Sequence, residues 1–145
     1  MADNHVVKQI FVNLPIKDLK KSVDFFTKLG FSFNPKFTNE DATCMILGEN
    51  FFSMLLVEKF FKGFITKEIA DSKTCSEAII SLAVESREKV DWLFDKAIQA
   101  GASVSKEGID LGWMYQKGFQ DLDGHLWEVF YMDESKMPQE MKDKT

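Results

Sequence analysis

Apolar residues near the N-terminus recur at every second position, which is the period of a half-buried β-strand. This alternating set is Ile10, Val12, Leu14 and Ile16. The spacing then changes to that of an amphipathic helix, which we expect to follow Asp18 as its N-cap and to end before Gly30. A strand followed by a helix is therefore predicted for residues 8–30.

Short apolar runs separated by polar residues follow this helix, and each run has the length of a strand. The segment Gly48–Asn50 is a turn between the last two runs. The three runs cover residues 31–37, 43–47 and 51–58. The first half of the chain therefore predicts the element order β-α-β-β-β.

The same order recurs in the second half, after a connecting segment whose apolar positions indicate a short helix. The repeated elements are a strand over 77–84, a helix over 86–100, and strands over 102–107, 112–120 and 125–132. This repetition indicates an internal duplication. We therefore predict a single α+β domain over residues 1–145, built from two tandem β-α-β-β-β modules. Its parts are a first module at 7–58, a connecting segment at 59–76, a second module at 77–133 and a polar tail at 134–145.

The charge and the cysteine content exclude several classes of protein. The formal net charge is −5 and the Lys and Arg residues are scattered, whereas nucleic-acid binding needs a basic stripe. The two cysteines, Cys44 and Cys75, lack the spacing of a thiolate metal site or a disulfide framework. The sequence shows no signal peptide and no apolar run approaching the roughly 18 residues of a membrane span. We therefore expect a cytoplasmic protein with neither a nucleic-acid nor a membrane partner.

Two phrases of the sequence are characteristic of a known family. The first reads FVNLPIKDL at 11–19, SVDFF at 22–26 and LGF at 29–31, and the second reads FQDLDGHLWEV at 119–129. Together they resemble the glyoxalase/bleomycin-resistance/dioxygenase superfamily, whose fold is also called vicinal oxygen chelate, and most of all a branch labelled predicted lactoylglutathione lyase. The resemblance implies a curved mixed-sheet cup with helices outside, a small-molecule ligand inside the cup, and a homodimer.

The resemblance also implies where a divalent metal would be held, because family enzymes take one ligand from the first and the last strand of each half. Matched to this sequence, the four positions are Phe11, Met54, Ile79 and Glu128. Phenyl and alkyl groups have no lone pair, and a thioether is too soft for these metals. We therefore expect no metal and no other cofactor. One alternative stays open, in which Gln9 and Glu128 together hold a divalent metal.

The predicted inward face of the modules is mainly apolar, which suits a small, partly apolar molecule. If Glu128 faces inward, His125 faces the other side of the same strand, so the two cannot share one ion. Beside the Asp123-Gly124 turn, we expect His125 to be a surface or hairpin-stabilising residue. Trp113 and Tyr115, near the mouth of the second module, would line either the ligand site or a dimer seam. The other candidate ligand-binding residues are Phe11, Asn13, Phe52, Met54, Ile79 and Ser81.

Glu128 is the candidate catalytic residue. A carboxylate among apolar walls could act as a general base for proton abstraction, or it could be a former ligand position held by hydrogen bonds to its neighbours. The sequence does not decide whether the protein is an enzyme. Three hypotheses stay open: a metal-free binding protein, a lyase or isomerase of the lactoylglutathione lyase type that uses Glu128, and a partner protein whose cup is filled by its own side chains.

Overall fold

The computed structural model describes residues 6–144, and the chain divides into two compact units. The first unit is Met1–Ala70 and the second is Asp71–Thr145. Each unit contains a four-stranded sheet of its own. The division falls inside the predicted connecting segment, so each unit contains one predicted module.

The first unit has its elements in the predicted order. They are β1 (Ile10–Ile16), α1 (Leu19–Lys28), β2 (Ser32–Asn34), a 3-10 turn (Pro35–Phe37), β3 (Ala42–Ile46), β4 (Phe51–Val57) and α2 (Glu58–Lys62). The sheet has the strand order β1-β4-β3-β2, in which β1 runs parallel to β4 and the other neighbours are antiparallel.

Helix α1 packs on one face of this sheet and is bounded by signals present in the sequence. Asp18 caps its first turn by accepting a hydrogen bond from the Lys21 backbone N–H at 3.0 Å. Gly30 follows its last turn with a φ of 97°, a backbone conformation that glycine adopts without steric cost. Phe25 and Phe26 are both 2 % exposed. The helix is therefore held mainly by its buried aromatic side.

The predicted strand over residues 31–37 is shorter in the structure, because β2 ends at Asn34. Pro35 has no backbone N–H to donate to a strand neighbour, and its fixed φ suits the first turn of a helix. The 3-10 turn that it begins is capped by Asn34, whose side chain accepts a hydrogen bond from the Lys36 N–H at 3.0 Å.

The second unit repeats the plan of the first. Its elements are β5 (Ile79–Ala83), α3 (Arg87–Gln99), β6 (Ser103–Asp110), β7 (Met114–Gln120), β8 (Leu126–Met132), a 3-10 turn (Glu134–Lys136) and α4 (Gln139–Lys142). The strand order is β5-β8-β7-β6, with β5 parallel to β8. Strand β6 extends beyond its predicted end at residue 107, and its pairing with β7 shifts register on both sides of Lys106. Such irregular edge strands resist pairing with other chains.

Helix α3 is anchored at its start and along its buried side. Its N-cap, Ser86, accepts a hydrogen bond from the Lys89 backbone N–H at 3.0 Å. Three residues of the helix and three of the sheet pack against each other and are at most 5 % exposed. They are Val90, Leu93 and Ala97 on the helix and Phe119, Trp127 and Val129 on the strands. The core of this unit therefore lies between α3 and one face of its sheet.

One buried carboxylate organises the hairpin between β7 and β8. Asp121 is 8 % exposed, and its Oδ2 accepts a hydrogen bond from Trp127 Nε1 at 2.9 Å. Its Oδ1 accepts the backbone N–H groups of Asp123 and His125 at 2.9 and 3.0 Å. Burial raises the pKa of Asp121, and the nearby charge of His125 together with these hydrogen bonds opposes that rise. His125 therefore lies in the hairpin, where the sequence predicts it.

Both units have the same topology, with the first strand of each module at a sheet edge and parallel to the fourth. The predicted α+β class with two β-α-β-β-β modules is thus confirmed, whereas the union of the modules in one domain stays a prediction. Helix α2 supplies the short helix expected in the connecting segment, and the described part of the tail, up to residue 144, contains two short helical turns. Within residues 6–144, no helix is long and apolar enough to cross a membrane.

Candidate functional site

The predicted catalytic residue, Glu128, faces away from the core of the second unit. On β8 its neighbours Trp127 and Val129 are buried at 1 % and 0 % exposure, whereas Glu128 itself is half-buried. Successive residues of a strand point to opposite faces. Glu128 therefore lies on the sheet face that α3 does not cover, which we call the open face of the second unit.

Ser81 is the first partner of this carboxylate. The parallel pairing of β5 with β8 places Ser81 opposite Glu128. The Ser81 Oγ donates a hydrogen bond to Glu128 Oε1 at 2.5 Å. The sequence predicted both residues for the inward face, and the structure brings them into direct contact.

Gln116 is the second partner, and the sequence analysis missed it. Its Nε2 donates a short hydrogen bond to Glu128 Oε2. In the antiparallel pairing of β7 with β8, Gly118 lies opposite Glu128 and Gln116 lies opposite Phe130. Gln116 thus reaches Glu128 diagonally, a distance that long side chains can span. Alternation along the predicted strand 112–120 could have placed Gln116 on this face, but only with the register to β8 known.

The three side chains Ser81, Gln116 and Glu128, which we call the Glu128 cluster, form a polar group held together by the two hydrogen bonds. Each oxygen of the carboxylate accepts one of them, so the orientation of the carboxylate is fixed. The cluster is presented to solvent, because Ser81 is exposed and the other two are half-buried.

Apolar side chains adjoin the Glu128 cluster on the open face. Ile79 lies two residues before Ser81 on β5 and is 57 % exposed. Leu126 and Phe130 lie two residues to either side of Glu128 on β8, and both are half-buried. A fixed carboxylate within an apolar surface can bind a molecule that has one polar group and an apolar body.

Gly118 keeps the side of Glu128 that faces β7 free of a side chain. A Cβ at this position would lie 3.9 Å from the Cβ of Glu128, 3.5 Å from the carbonyl oxygen of Trp127 and 2.6 Å from Ser105 Oγ. The last distance is too short for a carbon–oxygen contact, so any larger residue would require the Ser105 hydroxyl to move. The glycine therefore preserves space beside the carboxylate.

The first unit has a comparable but more apolar face. Strand β1 pairs in parallel with β4 so that Phe11 lies opposite Phe52 and Asn13 lies opposite Met54. The rings of Phe11 and Phe52 are stacked with centroids 4.7 Å apart, and Phe11 is 44 % exposed. The structure thus brings together the four ligand-binding candidates that the sequence predicted for this module.

Cys44 is a free, buried cysteine of the first unit. It lies opposite Met54 on the neighbouring strand β3 and is 1 % exposed. Burial raises the pKa of its thiol, which disfavours the reactive thiolate. Cys44 is therefore a structural residue of the first unit.

Tyr115 points towards helix α3 and not to the open face. Its hydroxyl donates a hydrogen bond to Asp91 Oδ1 at 2.5 Å, and the same oxygen pairs with Lys117 Nζ at 2.8 Å. The guanidinium of Arg87 lies 4.2 Å from the centre of the Tyr115 ring. The structure therefore does not bring Tyr115 to the Glu128 cluster. Trp113 is half-buried just before β7, and its carbonyl accepts a hydrogen bond from the Asp133 N–H at 2.7 Å.

The contacts between Asp91, Tyr115 and Lys117 shift the ionisation of all three groups. The hydrogen bonds from Lys117 and Tyr115 lower the pKa of Asp91. The hydrogen bond to Asp91 and burial raise the pKa of Tyr115. The pKa of Lys117 is raised chiefly by its bond to Asp91. Each shift favours the ionised carboxylate with a protonated tyrosine and lysine, which is the state that links α3 to β7.

The four positions that correspond to family metal ligands carry a single oxygen donor. Phe11 and Met54 lie in the first unit, and Ile79 and Glu128 lie in the second. Across residues 6–144, no group of three or more His, Cys, Asp or Glu side chains is placed to hold a metal ion. Gln9 lies just before β1 and is exposed. These donors do not fit a divalent metal of the family type, and the expectation of no cofactor stays a prediction.

Comparison with known proteins adds sequence and structural relatives. Residues 8–48 match the family model for the bleomycin resistance protein-like N-terminal region. A hypothetical protein from S. aureus has 28 % sequence identity and a TM-score of 0.74, with 88 % of this chain and 95 % of that chain covered. No protein with a curated description matches the chain.

Other solved structures share the fold at lower identity. A glyoxalase-related enzyme from Fulvimarina pelagi has 19 % identity and a TM-score of 0.73, covering 86 % of this chain and 88 % of that chain. The fosfomycin resistance protein FosX from Listeria monocytogenes has 17 % identity and a TM-score of 0.63, covering 88 % and 94 % of the two chains. The resemblance to the glyoxalase/bleomycin-resistance/dioxygenase superfamily is therefore confirmed, by the fold and by the family model on the first module. Its branch stays a prediction.

Proposed function

We propose that this protein binds a small, partly apolar organic molecule, and that the Glu128 carboxylate is the polar anchor of the site. The observation that carries the proposal is the Glu128 cluster itself. Ser81 and Gln116 hold the two carboxylate oxygens on an open sheet face whose neighbouring residues are apolar. A carboxylate fixed in this way is ready to bind without reorganising, which lowers the free-energy cost of association.

Two of the similar proteins carry names that refer to resistance to a small organic molecule. The family model that matches residues 8–48 is named for bleomycin resistance, and one structural neighbour is named for fosfomycin resistance. We propose that this chain also binds its ligand without a metal, since three of the four ligand positions carry Phe11, Met54 and Ile79. We further propose a homodimer, as the resemblance of the sequence implies, and a cytoplasmic location, as the cysteine content indicates.

A second candidate function is a lyase or isomerase reaction in which Glu128 abstracts a proton from the substrate. The specific observation in its favour is the fixed and accessible position of the carboxylate, which a general base requires. This enzyme and the binding protein would use the same side chain, and they differ only in whether turnover occurs.

The third hypothesis, a cup filled by its own side chains, is less well supported. It requires Phe11 and Ile79 to be buried, but their exposed fractions are 44 % and 57 %. A ligand-binding protein instead needs accessible apolar side chains of this kind to contact the ligand.

The experiment that tests the proposal compares Glu128→Gln with Glu49→Gln, which removes the same charge from an exposed turn of the first unit. A thermal-shift screen of small aromatic and aliphatic compounds and divalent ions, together with metal analysis of the purified protein, identifies what stabilises the chain. We expect organic compounds to stabilise the wild type and Glu49→Gln more than Glu128→Gln. A stoichiometric metal with turnover of the methylglyoxal–glutathione adduct would instead establish a glyoxalase.

A further inference from the structure

The hydrogen bonds inside the Glu128 cluster use up most of its donors. A serine hydroxyl has one O–H, and that of Ser81 is directed at Glu128 Oε1. The Gln116 amide has two N–H groups, of which one is directed at Glu128 Oε2. What the cluster can still offer a ligand is mainly acceptors: the remaining lone pairs of the carboxylate, the Ser81 oxygen and the Gln116 carbonyl.

Among residues 6–144, no cationic side chain is paired with the Glu128 carboxylate. In the part of the chain that the structure describes, Lys117 pairs with Asp91 and Arg87 pairs with Asp110, but no lysine, arginine or histidine forms an ion pair with Glu128. The formal net charge of the whole chain is −5. An anionic ligand would therefore be repelled at this site, whereas a cationic ligand would gain both charge attraction and hydrogen bonds.

The surroundings of the carboxylate indicate what the rest of the ligand is. Ile79, Leu126 and Phe130 adjoin the cluster on the open face and are accessible. Phe130 follows Glu128 by two residues on the same face of β8, a separation of about 7 Å along a strand. An ammonium group bound to Glu128 that lies within about 6 Å of the Phe130 ring centre is also attracted by the negative face of the ring.

We infer that the Glu128 cluster selects a protonated primary amine joined to an apolar, preferably aromatic, body. The ammonium group supplies the donors and the positive charge that Ser81, Gln116 and Glu128 lack, and the apolar body covers Ile79, Leu126 and Phe130. This inference rests on the proposed binding function and adds to it the charge class of the ligand.

The test uses three probes of similar size and different charge: phenethylamine, phenethyl alcohol and phenylacetate. Each is titrated at neutral pH into the full-length protein, and binding is followed by calorimetry and by NMR of the side-chain amides. We expect the amine to bind about tenfold more tightly than the alcohol, because a charge-assisted hydrogen bond replaces a neutral one. We expect phenylacetate to bind most weakly.

Two variants test whether a preference for the amine over the alcohol arises from the Glu128 cluster. In Glu128→Gln the amine and the alcohol should bind with similar affinity, whereas Glu49→Gln should keep the tenfold preference. If Glu128→Gln does not fold, the wild-type NMR spectrum still decides, because the amine must shift the side-chain amide signal of Gln116. An amine preference that survives in a folded Glu128→Gln, or an unshifted Gln116 amide, overturns the assignment.

The outcomes separate this inference from the proposed function. Equal binding of all three probes, or tighter binding of phenylacetate, overturns the inference and leaves the apolar binding site standing. Stabilisation by magnesium or calcium ions with no response to the amine also overturns it, because the carboxylate would then be a metal ligand. If none of the three probes binds at millimolar concentrations, both the inference and the binding proposal fail.

Discussion

Ser81 and Glu128 lie opposite each other on the parallel strands β5 and β8, and the serine hydroxyl donates a hydrogen bond to Glu128 Oε1 at 2.5 Å. The two residues are 47 positions apart in the sequence. The bond joins the edge strand of the second sheet to its neighbour through side chains as well as through the backbone. It also fixes one oxygen of the carboxylate that we propose as the ligand anchor.

Removing this hydroxyl should weaken ligand binding more than folding. In Ser81→Ala the carboxylate keeps only its bond from Gln116 and becomes free to rotate. Because the lost bond is exposed, we expect the free energy of unfolding to fall by less than about 1 kcal/mol. Affinity for a ligand anchored on Glu128 should fall several-fold, measured by calorimetric titration with phenethylamine.

Ser103→Ala is the matched control, since it removes a hydroxyl from an exposed position of the edge strand β6. It should leave both quantities unchanged. Equal affinity in Ser81→Ala and the wild type would show that the serine does not position the carboxylate.

Two buried hydroxyls in the first unit should have different effects on stability when they are removed. Ser53 and Thr43 are both 0 % exposed. The Thr43 hydroxyl bonds to that of Thr38 at 2.9 Å, whereas within residues 6–144 the Ser53 Oγ has no hydrogen-bond partner. Burying an unpaired hydroxyl is unfavourable, so Ser53→Ala should raise the free energy of unfolding or leave it unchanged. Thr43→Val should lower it by about 1 kcal/mol.

Urea denaturation of the two variants measures both effects on the same sheet. A loss of stability of about 1 kcal/mol or more in Ser53→Ala would contradict the prediction. Such a loss would mean that the hydroxyl has a partner, such as a buried water, in solution.

Asp121 should make folding stability depend on pH with an unusual sign. Burial raises the pKa of Asp121 in the folded protein, so the folded state binds this proton more tightly than the unfolded chain. Its contribution to stability is therefore fully present below the unfolded value of about 3.9 and is lost as the pH rises through the higher folded pKa. Asp91 and Asp110, whose pKa values are lowered, act in the opposite direction.

Asp121→Asn isolates this contribution. The difference in free energy of unfolding between the wild type and this variant should fall with increasing pH across that window. At neutral pH the variant should still be less stable by about 1–3 kcal/mol, because the amide presents an N–H group where the carboxylate accepted hydrogen bonds. A difference that is constant with pH would show that the pKa of Asp121 is not raised.

Tyr115 should ionise at a higher pH than an ordinary tyrosine. Its hydrogen bond to Asp91 and its burial raise the pKa of Tyr115, and in Asp91→Asn the loss of the negative charge should lower that pKa towards the usual value of about 10. The chain has two tyrosines. Ultraviolet titration of the wild type and of Tyr115→Phe therefore gives the signal of Tyr115 by difference.

The control is Asp110→Asn, which removes a carboxylate paired with Arg87 and not in contact with the Tyr115 hydroxyl. It should change the Tyr115 titration less than Asp91→Asn does. An identical Tyr115 titration in the wild type, Asp91→Asn and Asp110→Asn would exclude the hydrogen bond between Tyr115 and Asp91 in solution.

The local pattern of the sequence predicted most elements and the face of most candidate residues. Alternation along a strand and helical spacing depend only on neighbouring residues, so they placed β1, α1, α3 and β8 within a few positions. The same alternation put Glu128 on the face opposite to Trp127 and Val129, as the structure has it. The N-cap Asp18 acts within one helical turn, and for that reason it could be predicted directly from the sequence.

The partners of Glu128 were decided only by the tertiary structure. Gln116 reaches the carboxylate because of the register between β7 and β8, and sequence alternation alone does not fix a register between strands. The same register turns Tyr115 towards α3, where Asp91 is available, and not towards the open face. The sequence by itself thus determined that a carboxylate lies on the face of β8 opposite to the buried Trp127 and Val129. The hydrogen-bond partners of this carboxylate, and the lack of a paired cation among the described residues, depended on long-range strand pairing.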